Sequence, residues 1–267
     1  MTKTLVQEKE ERFDVERKTP HLSYSRIERY LRCPEQYRLY YVEKLRARVE
    51  SASLVFGAVM HLALAEFFRH SDDPVVVFRE EWQALRSVEL RYSRKDSWQT
   101  LYDKGERLLQ KFCREESQRI GTVLSVEKVF ELGLSNLNLP FIGIIDLIAE
   151  MERKRTLVEF KTAVADFEDY EITLLDQLSA YHLAEPDVER VAVCVFVKSK
   201  EPRIEWHIAQ RTPEQVMEYL EKAELVARQI AQGNFYKRPG KLCRQCEFLP
   251  VCVGDRKKAE QTLVRIA

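Results

Sequence analysis

Near residue 120 the hydrophobic pattern changes its period, and that change constrains the possible folds more than any other feature of the chain. Before it, apolar residues recur at helical spacing. After it, they alternate as strands do. The run LVFGAVMHLALAEFF at 54–68 is apolar on most faces and predicts a buried helix. Upstream, Ser25 and Glu28 form a capping-box pattern that opens a helix through Leu31 and stops before Pro34. Residues 35–43 make a second amphipathic segment, and 75–119 read as two or three more helices around the polar stretch 91–97. Residues 123–134 then alternate, 135–138 (SNLN) supply a turn, and 141–150 return as a second strand. A short third strand at 156–160, a helix over about 173–184, and strands at 191–197 and 203–209 follow. The last long helix is punctuated by Thr212 as N-cap, Pro213 at the first position, Gln215 closing a capping box, and Gly233 as the stop. This order predicts an α/β fold: a mixed β-sheet core flanked by helices on both faces, with a helical elaboration before it.

Composition narrows the class. With 45% apolar and 32% charged residues over 267 positions, the chain can bury a sizeable core, which excludes wholesale disorder. No stretch approaches about 20 apolar residues, so no membrane partner is expected. The N-terminus lacks the apolar region of a secretory signal, which predicts a cytoplasmic address. Lys plus Arg and Asp plus Glu both number 43, so net charge argues neither for nor against a nucleic-acid partner. Residues 234–258, however, carry Lys237, Arg238, Lys241, Arg244, Arg256, Lys257 and Lys258 against Glu247 and Asp255. Residues 1–20 are charged and aperiodic and are expected to form a mobile tail. Residues 21–267 are expected to form one domain, with 71–120 as a helical insert and 234–258 as a cysteine-rich segment.

The residues that carry chemistry cluster on two expected strands. Asp146 interrupts the apolar run Ile142-Gly143-Ile144-Ile145, and Glu159 and Lys161 alternate with apolar neighbours on the next strand, so their side chains share a face. Two carboxylates and an ammonium are costly to bury unless a cation joins them, and oxygen ligands of this kind suit Mg2+ or Mn2+. Read alone, Glu159 and Lys161 fit an ordinary charge pair on an exposed strand equally well. His61 stands mid-helix among large apolar residues, where a hydrogen-bonded core histidine is the common case; beside Asp146 and Glu159 it makes sense as a third ligand. Gln177 and Tyr181 share one helix face, either as surface decoration or as groups that hold a phosphate or the lysine.

Six cysteines in a reducing compartment are not expected to pair as disulfides. Cys113 and Cys194 stand in apolar surroundings and read as small buried hydrophobes. Cys243, Cys246 and Cys252 form C-x2-C-x5-C, and Cys33 before Pro34 offers a fourth thiol. Four cysteines hold either Zn2+ or an iron–sulfur cluster, and spacing does not separate the two. The segment 24–41 interleaves Tyr24, Arg26, Arg29, Tyr30, Arg32, Tyr37, Arg38 and Tyr40, a pattern that suits phosphate contact with base stacking, while internal packing accounts equally well for half of the tyrosines.

From Leu22 to about Cys252 these pieces, in this order, resemble the RecB-like branch of the PD-(D/E)XK nuclease superfamily that carries an iron–sulfur cluster. That branch includes AddB nuclease domains and the CRISPR-associated spacer-processing exonucleases. The resemblance rests on LSYSRIERYLRCPEQY at 22–37, Gly57-x-x-x-His61, Gly143-x-x-Asp146, Glu159-x-Lys161, Gln177-x-x-x-Tyr181 and the three C-terminal cysteines. It implies a restriction-endonuclease-like fold and a Mg2+- or Mn2+-dependent DNA nuclease, an exonuclease on single-stranded DNA. His61, Asp146, Glu159 and the Phe160 carbonyl would bind the metal, Lys161 would be the catalytic lysine, and Gln177 and Tyr181 would support it. Cys33, Cys243, Cys246 and Cys252 would hold a [4Fe–4S] cluster that clasps the two ends. A helicase or integrase is the implied protein partner. The alternative is a non-catalytic, zinc- or Fe–S-containing DNA-binding component of a larger helicase or integration complex.

Overall fold

A computed structural model of the chain describes residues 20–133 and 139–266. The expected tail, apart from Pro20, and the expected turn at 135–138 lie outside the described residues. Helix α1 (Tyr24–Arg32) starts earlier than the capping box at Ser25 suggested: the Ser23 hydroxyl accepts from the Arg26 N–H, and Ser23 itself is extended. Its successor α2 (Pro34–Tyr37) runs on as a wide π turn, Arg38–Val42. Strands β1 (Leu45–Ala47) and β2 (Glu50–Ser51) lead into α3 (Ala52–His70). Then come α4 (Pro74–Ala84), β3 (Leu90–Arg91) and α5 (Trp98–Lys111).

Strands β4 (Val123–Gly133), β5 (Pro140–Met151), β6 (Lys154–Ala163), β7 (Arg190–Val197) and β8 (Arg203–Ala209) line up in sequence order in one sheet. Within this sheet only β6 and β7 run parallel. A parallel pair needs a crossover, supplied here by α6 (Asp169–Leu174) and α7 (Asp176–Ala184). The single helix expected over 173–184 is therefore two, with Leu175 extended between them. Helix α8 (Pro213–Ala231) has the cap expected of it, Thr212 and Gln215 bonding reciprocally.

Each face of the sheet has its own core. On one, α3, α4 and α5 pack Phe56, Phe78, Trp82 and Leu108 against Leu147, Val158 and Phe196. Phe78 stacks on Trp82 with centroids 6.0 Å apart, and Phe56 meets both edge-on, geometries worth about 0.5–1.5 kcal/mol per pair beyond area burial. On the other face, α1, α7 and α8 pack Ile27, Tyr30, Leu178, Tyr219 and Val226 against Ile145, Leu157 and Val193. The expected mixed sheet flanked by helices is what the chain forms. Helix α3 is long and apolar enough to cross a membrane, yet half of that stretch is buried inside the protein.

The chain closes near its ends through α9 (Leu249–Cys252), α10 (Arg256–Thr262) and β9 (Leu263–Arg265), which pairs antiparallel with β1. Leu39, Phe248 and Leu263 form a small core there, with Cys246 and Cys252 packed against it. The Tyr30 hydroxyl donates to the Asn234 carbonyl (2.7 Å), the Glu35 N–H donates to the Tyr236 carbonyl (3.0 Å), and Arg29 pairs with Glu247 (3.4 Å). A ladder, an apolar cluster and several hydrogen bonds act together, and each adds its bond after the closure entropy has been met once.

Candidate active site

The β5–β6 ladder pairs Leu147 with Val158 and stops there. Beyond that point β5 stays with β4 as far as Pro140, while β6 stays with β7 as far as Ala163. Asp146 and Glu159 are the first residues past the fork. The Phe160 N–H donates to Asp146 Oδ2 at 2.9 Å, a side chain standing in for the missing ladder bond. A buried N–H left unpaired would cost about 1–3 kcal/mol, so the acid inside an apolar strand has a structural use as well as a chemical one.

Glu159 is 3% exposed. Its Oε1 accepts from Lys161 Nζ (2.8 Å) and from Gln177 Nε2 (2.9 Å). Lys161 also donates to Gln177 Oε1 (2.5 Å), and Gln177 Nε2 donates to the Tyr181 hydroxyl (2.6 Å). The extra length of β6, which continues to Ala163 instead of ending at 160, is what places Lys161 on the same strand face as Glu159. From α3, His61 Nδ1 comes within 3.3 Å of Asp146 Oδ1. The six side chains selected from the sequence thus meet in one place, as two adjoining groups: His61 with Asp146, and Glu159 with Lys161, Gln177 and Tyr181.

The electrostatics follow from burial. Desolvation, reinforced by the Asp146 charge, pushes the Glu159 carboxyl up to about 7. Burial would raise Asp146 too, but His61 and the Phe160 N–H outweigh it and hold it below the usual carboxylate range. Burial disfavours a charged His61; the Asp146 carboxylate more than compensates and raises it to about 9. Tyr181 is pushed well above its ordinary value by burial and by Glu159, so its phenol stays protonated.

One feature, Glu127, had no signal in the sequence, and another, Gly143, was part of a motif with no role assigned to it. Glu127 on β4 holds a left-handed backbone (φ 46°), lines a small cleft with His61, Asp146 and Phe160, and binds Arg69 (2.7 Å), which also pairs with Glu66 (2.9 Å). Gly143 lies opposite Phe130 on β4, where an added Cβ would meet the Phe130 ring at 2.5 Å. The ring occupies that space and presents its edge to Tyr181, centroids 5.9 Å apart. The glycine is there to let an aromatic support the tyrosine.

Among the described residues no three His, Cys, Asp or Glu side chains are drawn together closely enough to hold a metal ion. The donor set still suits one, because Glu159 Oε2 is buried with no hydrogen-bond partner. A carboxylate oxygen excluded from water and from every donor is a position that a hard cation would satisfy. The cysteines are all free thiols. Burial pushes Cys246 and Cys252 up, with Cys33 and Cys243 adding to the effect on Cys246, and Cys246 and Cys33 adding to that on Cys252.

Much of the basic-aromatic segment is used internally. Tyr30 and Tyr37 are buried, Arg26 lies over Tyr41, Arg29 and Arg46 lie over Tyr40, and Arg38 pairs with Glu35 and Glu43. All seven basic residues of the basic end are exposed, with Lys237 donating to the Cys252 carbonyl and Arg238 to the Leu31 carbonyl.

The sequence model of the PD-(D/E)XK nuclease superfamily matches residues 21–253. A solved structure of a candidate exonuclease from Eubacterium rectale is similar at TM-score 0.57 and 14% identity, over 92% of each chain, which shows a shared fold. SSO0001, a second solved structure, is more distant, with TM-score 0.47 and 14% identity over 93% of this chain and 94% of its own. A search of curated proteins finds no match.

Proposed function

The chain belongs to the PD-(D/E)XK nuclease superfamily, and on that premise we propose that it is a Mg2+- or Mn2+-dependent DNA nuclease of the RecB-like branch, an exonuclease on single-stranded DNA whose domain spans 21–267. The observation that carries this reading is the fork between β5 and β6, where the orphaned Glu159 Oε2 lies beside Asp146 and Lys161. His61, Asp146, Glu159 and the Phe160 carbonyl would hold the ion. When bound, it supplies Lewis-acid chemistry, neutralising phosphate charge and acidifying a coordinated water. The chain's own groups do the rest. Lys161, about a third exposed, is held between Glu159 and the Gln177 amide, so its ammonium is presented to solvent and substrate in a fixed orientation. Gln177 and the neutral Tyr181 phenol keep that ammonium in place.

Cys33, Cys243, Cys246 and Cys252 would hold a [4Fe–4S] cluster. The exposed basic end and the 71–120 insert would guide the strand.

The test is cleavage of labelled single-stranded DNA with Mg2+ or Mn2+ by anaerobically purified wild type and Lys161→Ala. Loss of about 100-fold or more in the variant is expected. DNA left intact by wild type with both ions removes the nuclease reading and leaves a non-catalytic binding component. Protection of circular single strands supports threading from an end. Iron analysis and visible absorbance decide the cluster, and a colourless, iron-free, folded protein refutes it.

A further inference from the structure

Arg211 follows β8 and belongs to none of the motifs above. Arg211 is 8% exposed. Every hydrogen bond it makes goes to a backbone carbonyl of the α6–α7 joint: Nη1 donates to Thr173 (2.7 Å), and Nη2 to Ile172 and to Leu175 (3.1 Å). These carbonyls end α6 and open α7; Ile172 also accepts from the Leu175 N–H (3.4 Å) and Leu175 from the Leu178 N–H (3.1 Å), so Arg211 adds its donors where the two helices meet. Burying a cation is expensive, and the hydrogen bonds this one makes are spent on that joint, with the Asp176 carboxylate adding attraction.

What the joint holds is the site. Helix α7 begins one residue after Leu175 and has no side-chain cap of its own. Its first residue, Asp176, is pinned from α8 by Lys222 at 2.8 Å. Its second is Gln177, the amide that binds Glu159 and Lys161 together. The position of that amide is therefore set by where α7 starts, and Arg211 sets the start. We propose that Arg211 is a positioning residue that acts through Gln177 on Lys161; its bearing on catalysis rests on the nuclease reading. A lysine replacement offers a point charge in place of a planar fork and cannot span the three carbonyls in the same geometry.

The experiment is a cycle of wild type, Arg211→Lys, Gln177→Ala and the double variant. It is read in two ways on protein shown to be folded by circular dichroism. The first readout is acylation of Lys161 by an amine reagent, followed by mass spectrometry, which needs no catalysis. Faster labelling is expected in both single variants, with no further gain in the double. Labelling of Lys161 at the wild-type rate in Arg211→Lys overturns the inference. The second readout is steady-state cleavage of a single-stranded oligonucleotide with Mn2+. In Arg211→Lys kcat is expected to fall about 10- to 100-fold with KM within about twofold, and the double variant should be no slower than Gln177→Ala alone. Losses that multiply in the double variant overturn it as well. An inactive wild type with the expected labelling pattern would sink the nuclease reading and leave the positioning role standing.

Discussion

Glu159→Gln is expected to make the metal-free protein more stable while abolishing its activity. The folded structure holds the Glu159 carboxyl at about 7, against 4.5 for an ordinary glutamate, chiefly because it is buried and secondarily because Asp146 is close. At 1.36 kcal/mol per pH unit, keeping this group ionised above pH 7 costs up to about 3 kcal/mol of folding free energy. The sign is fixed by linkage. A group whose folded-state value is raised favours folding while protonated, below about 4.5, and loses that advantage as pH climbs through about 7. A glutamine keeps an oxygen for Lys161 and the Gln177 amide and turns its N–H toward the place of the unpartnered Oε2. Lys161 loses a charged partner but is about a third exposed, so that loss is small. The variant should match wild type near pH 4.5 and gain steadily up to pH 7, reaching at most about 6–12 °C in Tm for a chain of this size. Thermal unfolding in chelator from pH 4.5 to 8 measures it. Adding Mn2+ should raise the Tm of wild type but not of the variant. A variant less stable than wild type at pH 8, by an amount that does not change with pH, would refute the claim that this carboxylate is held ionised at a cost.

Gly143→Ala is expected to destabilise by about 1–3 kcal/mol, because the new methyl meets the Phe130 ring at 2.5 Å and the ring must leave its place against Tyr181; unchanged denaturant midpoints would contradict this. Mn2+ affinity is expected to fall at least about tenfold per pH unit below 7, since Glu159 near 7 and His61 near 9 must both lose protons to bind an ion. Calorimetric titrations at pH 6 and pH 8 check it, and equal affinities would rule it out. Phe248→Ala, at a fully buried position between Leu39 and Leu263, should cost about 3–5 kcal/mol locally and speed hydrogen exchange across β1 and β9 ahead of the central sheet; uniform exchange across both would count against a separate C-terminal core.

The chemistry was legible in the sequence where it depended on alternation. Asp146 breaks an apolar run, and Glu159 and Lys161 share parity, so both strand faces and the acids on them follow from a period of two. Helix α8 was legible for the same local reason, as Thr212, Pro213 and Gln215 decide its start within four residues. The start of α1 was misplaced because Ser23 and Ser25 are both good caps, and only the backbone of the folded chain chooses between them.

Local pattern therefore determined the element types, the mixed sheet, and the identity of the residues that meet at its fork. Tertiary structure alone decided that β5 and β6 part at Asp146, that Phe130 fills the space over Gly143, that Arg211 caps the α6–α7 joint, and that β9 returns to β1. The Arg211 cap and the β9–β1 pairing join groups far apart in the chain, so no local window contains both partners. The fork and the Phe130 ring join neighbouring strands, but their stability comes from burial and hydrogen bonds made only once the sheet and both helical layers are in place.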